Sequence, residues 1–301
     1  MSVENVMITK LSQYIELIEN LINEYAPGFV RSLTEKPFVF RGIGDHEYTL
    51  LPNVFRKQRD KIPGEENEIE NYTYNNKEKS ILQAFIHEAS GYISIPPTNF
   101  FDWAEYAQHF GVPTRYLDWT SSPLVALFFS CKDNKMSDGA VWMLDHHNYH
   151  SYQSKKIPDS QKENPQSLRT IISQLIVDES VSDQELPLVY SPYYVDPRMS
   201  AQGSFFMVWG VKHEPFEKMF GDERYFMKLN KEYNGLRSFG TRQMQTLLFK
   251  AIIPSEKKQS LLRELDLAGV NEKTLFPGLD GVGRYVERRF RFDYNEYIDN
   301  L

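Results

Sequence analysis

The longest apolar stretch of the chain lies near its middle, directly after a segment crowded with polar residues. This stretch is PLVALFFS at residues 123–130, which is far shorter than the roughly 20 residues that span a bilayer. Ser121 or Ser122 is a good N-cap, and Pro123 suits the first position of a helix. We therefore predict a packed, apolar helix from Pro123 to Cys131.

The order of helices and strands around this helix favours the α+β class. Strands are scattered among helices without the strict alternation of a doubly wound sheet. Helices are predicted at 6–26, 77–92, 103–110, 166–177 and 255–268, with a last short helix after Leu275; strands are predicted at 38–40, 139–144, 186–190, 204–210 and 245–253. Asp102 is the expected N-cap of the helix at 103–110. We expect a mixed or antiparallel central sheet flanked by helices, including N- and C-terminal helices.

The length of 301 residues favours one large domain with an added part. We divide the chain into an N-terminal helix at 1–29, packed on the domain, and a domain at 30–301. A variable segment at 146–185 shows no repeat or clear period beyond its one predicted helix.

Charge and cysteine content exclude several classes of protein. The net charge of −7 disfavours non-specific binding to nucleic acid or anionic lipid. Cys131 is the only cysteine, so the chain cannot form an internal disulfide or a cysteine-based metal cluster. The N-terminus lacks the pattern of a signal peptide. We predict a cytoplasmic protein without membrane contact; the oligomeric state stays open.

Arg41 is the first candidate functional residue. It follows the short apolar strand Phe38–Phe40 and precedes Gly42. Arginine presents a planar charged fork that suits phosphate or carboxylate, and glycine lets the backbone approach a ligand closely. The alternative is a structural arginine paired with an internal carboxylate such as Asp118.

The second candidate is the polar segment AQHFGVPTRYLDWTSSP at residues 107–123. It leads into the N-terminus of the apolar helix, which can receive an anion. For His109 alone, a backbone hydrogen bond at a helix end explains the residue; for Asp118 alone, an ion pair with Arg41 or Arg115 does. As a group, the density of polar residues favours function.

Two further segments complete the candidates. Gln202–Gly203 opens an apolar strand, where the glutamine could hydrogen-bond a ligand or lock the turn. We interpret the segment with His146, His147 and His150 as a surface loop, and we predict no metal site there. The chain also lacks the glycine-rich phosphate loops and the zinc-protease motif.

These same segments resemble the FRG domain family, which is named for a Phe/Tyr-Arg-Gly motif. Phe40-Arg41-Gly42 reproduces that motif, and AQHFGVPTRYLDWTSSPLVALFFS at 107–130 looks like the signature block of the family. RMSAQGSFF at 198–206 and TLFPGLDGVGRYV at 274–286 look like its second block and its C-terminal end. The resemblance runs from about residue 30 to 287.

The order of elements shows a weaker, fold-level resemblance to ADP-ribosyltransferases. That resemblance implies that Arg41 neutralises the diphosphate of NAD, while Thr120-Ser121-Ser122 brace the pocket on the nicotinamide side. Gln202 stands where the transferases have a catalytic glutamate, so Asp118 would have to supply the missing charge. The site residues expected on these grounds are catalytic Arg41, Asp118 and Gln202, with Phe40, Gly42, His109, Arg115, Thr120, Ser121 and Ser122 binding the cofactor NAD.

Two functions of different classes follow from these residues. The first is an enzyme that uses NAD or a related nucleotide, as an ADP-ribosyltransferase or an NAD glycohydrolase with a toxin-like or phage-defence role. Its small-molecule partner is a nucleotide, and the acceptor, protein or nucleic acid, is open. The second is a non-catalytic module that binds a nucleotide or a protein in the same cleft. A metal-dependent hydrolase built on His109 and Asp118 lacks further ligands.

Overall fold

The computed structural model describes ten stretches of the chain. They are residues 6–25, 37–61, 68–72, 77–93, 96–150, 165–177, 186–192, 196–219, 237–239 and 248–299. The predicted boundary between residues 29 and 30 lies outside these stretches, as do 151–164 and 178–185 of the variable segment.

The strands run from Phe38 to Ile253. They are β1 (Phe38–Ile43), β2 (Lys57–Lys61), β3 (Glu68–Tyr72), β4 (Tyr116–Thr120), β5 (Gly139–Asp145), β6 (Leu188–Tyr190), β7 (Ser204–Val208), β8 (Arg237–Phe239) and β9 (Leu248–Ile253).

The helices lie before, between and after the strands. They are α1 (Leu11–Tyr25), α2 (Glu78–Ala89), α3 (Phe100–His109), α4 (Pro123–Lys132), α5 (Pro165–Val177), α6 (Pro197–Ala201), α7 (Phe216–Met219), α8 (Lys258–Leu267), α9 (Glu272–Leu275) and α10 (Leu279–Asp299).

A seven-stranded sheet organises the fold, with strand order β6-β7-β4-β1-β5-β9-β8, while β2 and β3 form a separate pair. All neighbouring strands of the large sheet run antiparallel. The central strand β1 pairs along its whole length with β5 but meets β4 at a single pair, Phe40 with Thr120. The sheet is therefore loosely joined between β1 and β4.

Side chains alternate between the two faces of the sheet. The first face carries Phe40, Met143 and Phe249, which pair across β1, β5 and β9. The second face carries Val39, Trp142 and Leu144 in a core that also includes Trp209 and Phe216. Both faces are buried, which explains why the burial pattern of β5 is continuous rather than alternating.

Two groups of helices cover different parts of the first face. One group packs α1, α4 and α8 on β1, β5 and β9 around a core that includes Phe40, Phe128 and Leu261. The other packs α2, α3 and α5 on β4, β6 and β7 around a core that includes Tyr116 and Phe206. The meeting point of β1 and β4 lies between these two groups of helices.

The antiparallel sheet flanked by helices confirms the expected mixture of helices and strands. Helix α4 begins as predicted, because the Ser122 side chain accepts from the Val125 N–H and Pro123 opens the helix. Among the described residues, we find no helix with both the length and the apolar character needed to cross a membrane.

Some local predictions were wrong, and strand β4 was missed. The N-cap of α3 is Asn99, whose side chain accepts from the Asp102 N–H, so the helix begins at Phe100. The last helix, α10, has 21 residues instead of being short. Strand β4 was not predicted, because its sequence YLDWT places an exposed Asp118 between two pairs of buried residues.

Candidate functional site

The part of the first face between the two groups of helices forms the floor of a cavity of about 230 Å³, which we call the central cavity. Strands β1, β4 and β7 form its floor, and α3, α4 and α6 form its walls. The lining residues are Phe40, Arg41, Gly42, Gln108, His109, Asp118, Trp119, Thr120, Val125, Phe129, Arg198, Met199, Gln202, Ser204 and Phe206. The structure thus brings together most of the predicted site residues, although their roles stay predictions.

Asp118 lies on the floor of the central cavity, and its side chain is exposed there. The Gln108 Nε2 donates to Asp118 Oδ2 at 2.8 Å. Exposure keeps the carboxylate available to a ligand. The cavity therefore presents one negative charge from its floor.

Arg198 provides a positive charge at the wall. Its guanidinium lies 4.9 Å from the centre of the Phe276 ring, an arrangement of the cation–π type. The carboxylate of Asp196 caps α6 by accepting from the Arg198 main-chain N–H at 2.7 Å. Phe276 thus holds the guanidinium at the cavity without neutralising its charge.

His109 is a further ionisable group at the wall of the cavity. Its Nε2 lies 3.5 Å from Asp196 Oδ2, and its side chain is only 13% exposed. Burial lowers the pKa of His109, and the negative charge of Asp196 opposes this shift. At neutral pH the imidazole is therefore mainly uncharged and can both donate and accept a hydrogen bond.

Arg41 touches the cavity, but its side chain starts from the other side of the sheet. Arg41 pairs with Trp142, so alternation places it on the second face, whereas Phe40 and Thr120 lie on the first. Its Nη1 donates to the main-chain oxygen of Asp118. Burial lowers its pKa to about 10, an effect that Asp118 opposes and Arg56 reinforces. Arg41 thus has a structural hydrogen-bond partner, but that partner is the main-chain oxygen of Asp118 and not the carboxylate of the structural alternative.

Gly42 brings α4 onto the sheet. A Cβ atom at this position would lie 1.8 Å from the Ala126 carbonyl oxygen and 2.7 Å from the Ser130 nitrogen. Glycine is therefore needed for the close approach of strand and helix, whereas we had expected it to admit a ligand to the backbone.

The hydroxyl cluster and Gln202 are engaged in local structure. The Thr120 hydroxyl donates to the Gln202 carbonyl oxygen at 2.5 Å and accepts from the Ser122 N–H at 3.0 Å. The Gln202 Nε2 donates to the Leu275 carbonyl oxygen at 2.9 Å. Thr120 and Gln202 line the cavity, while Ser121 and Ser122 lie beside it and form the turn into α4.

Arg115 lies apart from the cavity, in a buried ion pair with Glu78. The Arg115 Nε donates to Glu78 Oε2 at 2.7 Å, and the Arg115 N–H donates to Glu78 Oε1 at 2.8 Å. Both side chains are less than 10% exposed. Arg115 therefore fastens α2 to β4, and its expected role in binding NAD finds no support in its position.

Sequence reasoning missed several lining residues. Gln108 and Arg198 belong to the quoted polar segments but were not selected, and Phe129 and Phe206 read as ordinary core residues. For Gln108, one signal could have been used: it stands directly beside the candidate His109 at the end of a predicted helix. No sequence signal places Arg198 at the same cavity as Asp118, because 80 positions separate them along the chain.

A larger groove of about 670 Å³ lies between α4, α8 and α10. Its charged residues are largely neutralised in pairs, with N···O distances of 2.8 Å for Arg288–Glu272 and 2.6 Å for Arg291–Glu287. We therefore place the candidate site in the smaller central cavity, where Asp118 and Arg198 face ligand-accessible space. Within the described ranges, no group of three potential His, Cys, Asp or Glu ligands is arranged to hold a metal ion.

Comparison with known proteins identifies one family. Residues 36–139 match the model of the family described as the FRG domain. No curated protein and no solved structure matches the chain. The matched residues include β1, β4 and α4, which supply much of the cavity floor and one wall, and over this region the chain is similar to the FRG family. The likeness to ADP-ribosyltransferases finds no support in these comparisons.

Proposed function

We propose that this protein binds a nucleotide, NAD or a related one, in the central cavity. The observation that carries the proposal is that Asp118 on the floor and Arg198 at the wall line one cavity together with aromatic side chains. A nucleotide has the matching parts, with an anionic phosphate for the guanidinium and a hydroxyl-bearing sugar for the carboxylate. Its flat base can stack on the rings that line the cavity.

The size of the cavity limits which part of the ligand it encloses. Its volume of about 230 Å³ lies below the roughly 300–1,000 Å³ typical of pockets for drug-sized ligands. We therefore expect the cavity to enclose one ring with its sugar. The rest of a dinucleotide such as NAD would extend past Arg198 toward the surface.

A second candidate function is cleavage of the glycosidic bond of NAD. It is favoured by Asp118, because a carboxylate beside the sugar can stabilise the positive charge that develops there. The protein would then act as an NAD glycohydrolase or an ADP-ribosyltransferase, consistent with a toxin-like or phage-defence effector in the cytoplasm. The engagement of Arg41 and Gln202 in local structure makes binding the leading proposal.

Titration calorimetry with NAD, ADP-ribose and ADP tests the leading proposal. Arg198→Gln should weaken binding of all three ligands about tenfold, since it removes a charge-assisted hydrogen bond to phosphate. Lys135→Gln is the matched control, because it removes the same charge from an exposed position. Absence of binding, or equal effects of the two variants, would refute the proposal.

A nicotinamide-release assay on the same preparation separates the two functions. If the protein cleaves NAD, Asp118→Asn should slow nicotinamide release by roughly 10²–10³, the usual effect of losing one transition-state contact. Binding without release by the wild-type protein would identify the non-catalytic module.

A further inference from the structure

A chain of hydrogen bonds runs from the buried Thr114 to the carboxylate in the cavity. The Thr114 Oγ1 donates to Gln108 Oε1 at 2.6 Å, and the Gln108 Nε2 donates to Asp118 Oδ2 at 2.8 Å. The Thr114 hydroxyl also accepts from the Tyr116 N–H at 3.2 Å. Thr114 itself is only 2% exposed, so packing fixes the start of the chain.

This chain decides which way the Gln108 amide points. An amide oxygen can only accept, so the Thr114 hydroxyl must give its proton to Gln108 Oε1. The NH₂ group of Gln108 is then directed at Asp118. With the amide reversed, its oxygen would face the carboxylate, and two acceptors would oppose each other.

Asp118 is thereby held as an acceptor with one oxygen committed. Oδ2 receives the Gln108 N–H, and no hydrogen bond reaches Oδ1 from the residues that the structure describes. An ionised carboxylate accepts hydrogen bonds and donates none. A ligand that meets Oδ1 must therefore bring a donor.

We propose that Thr114 and Gln108 are positioning residues that aim Asp118 at the sugar hydroxyls of the bound nucleotide, and so select nucleotides that carry those hydroxyls. This inference rests on the proposed function. In a nucleotide held by Arg198 at its phosphate and by ring stacking at its base, the group between these two parts is the sugar. Sites built to hydrogen-bond a hydroxyl reject analogues that lack it, because the bound analogue displaces water from the acceptor without replacing its hydrogen bond.

The test compares ADP with 2′,3′-dideoxy-ADP by titration calorimetry on the full chain. The wild-type protein should bind ADP at least tenfold more tightly than the dideoxy compound. Thr114→Val, which keeps the side-chain shape, should lose this preference, and Thr114→Ser, which keeps the hydroxyl, should retain it. Equal binding of the two nucleotides by the wild type would overturn the inference, as would equal behaviour of the valine and serine variants.

Two measurements keep the inference separate from folding and from the proposed function. Gln108→Met removes the amide without touching Thr114 and should abolish the preference in the same way, which covers a poorly folded Thr114→Val. Hydrogen exchange of the Gln108 side-chain amide, followed by NMR, needs no ligand: it should be slow in the wild type and in Thr114→Ser, and fast in Thr114→Val. Slow exchange in a protein that fails to bind ADP would refute nucleotide binding but support the positioning role of Thr114 and Gln108. Equal exchange rates in all three proteins would refute the positioning role.

Discussion

Arg115 and Asp118 stand three positions apart in one polar segment, yet they lie in opposite environments. Arg115 is 2% exposed and meets Glu78 in a pair with two hydrogen bonds. Asp118 is exposed on the floor of the central cavity, where Gln108 donates one hydrogen bond to it. The Arg115–Glu78 pair, which we call the closed group, is shielded from solvent, whereas Asp118 is open to a ligand.

The difference shows that a dense polar segment can serve stability and function at once. A buried charge must be fully paired, because losing its partner leaves it desolvated without compensation. An exposed charge tolerates a free oxygen, because water or a ligand can occupy it. Substitutions in the closed group should therefore affect folding, whereas those at Asp118 should affect binding.

The largest effect is expected for Glu78→Ala. Removing the carboxylate leaves the buried Arg115 guanidinium without a compensating negative charge, at a cost of about 3–5 kcal/mol in the free energy of unfolding. Urea denaturation should show this loss. The control Asp118→Asn should stay within about 0.5 kcal/mol of wild type. Similar losses in both variants would show that Asp118 is as structural as Arg115.

Gly42→Ala should be the next most damaging change. The added methyl group meets the Ala126 carbonyl oxygen, so α4 must move away from β1, at a cost of about 1–3 kcal/mol or more. Thermal denaturation measures the effect. Gly283→Ala is the matched control, since a Cβ there meets no atom within 4 Å. A fully stable Gly42→Ala would mean that strand and helix are less tightly packed than described.

Gln202→Glu tests a residue that lines the open cavity but is held like the closed group. The glutamate would place a carboxylate oxygen against the Leu275 carbonyl oxygen and lose a hydrogen bond, at a cost of about 1–3 kcal/mol. Gln202→Met loses the bond without adding charge, so the difference between the variants measures the repulsion. The glutamate variant should regain stability at acid pH, where its side chain is protonated and can donate. A glutamate variant as stable as wild type at pH 7, with newly acquired nicotinamide release, would restore the transferase interpretation.

The smallest effect concerns His109 and pH. Burial lowers its pKa in the folded chain, so the unfolded chain binds more protons as the pH falls below about 6.5. The contribution of His109 to stability is therefore lost as the pH decreases from there through the lowered pKa. His109→Gln should remove this dependence, so that the wild type loses its advantage over the variant between pH 7.5 and pH 5. Of the changes predicted, this one should be the smallest, and parallel stability profiles of the two proteins would contradict it.

Much of the fold could be predicted from local sequence. Helix α4 was placed by Ser122 and Pro123, whose capping and backbone preferences act within one turn. Strand β5 was placed by a short apolar run. Strand β4 was missed because its central residue, Asp118, faces the gap between two groups of helices, and that gap exists only once both groups have packed on the sheet.

For the candidate site, too, one part could be predicted from the sequence and another part depends on the tertiary structure. Sequence by itself determined which residue types are available, namely the charged, amide and hydroxyl side chains of 107–123 and of the segment around Gln202. The tertiary structure decided their partners: Arg115 met Glu78 from α2, Gln202 met the carbonyl of Leu275, and Arg198 came to lie at the cavity with Asp118. The physical reason is that a polar side chain takes its role from the atoms that surround it after packing, and those atoms come from distant parts of the chain.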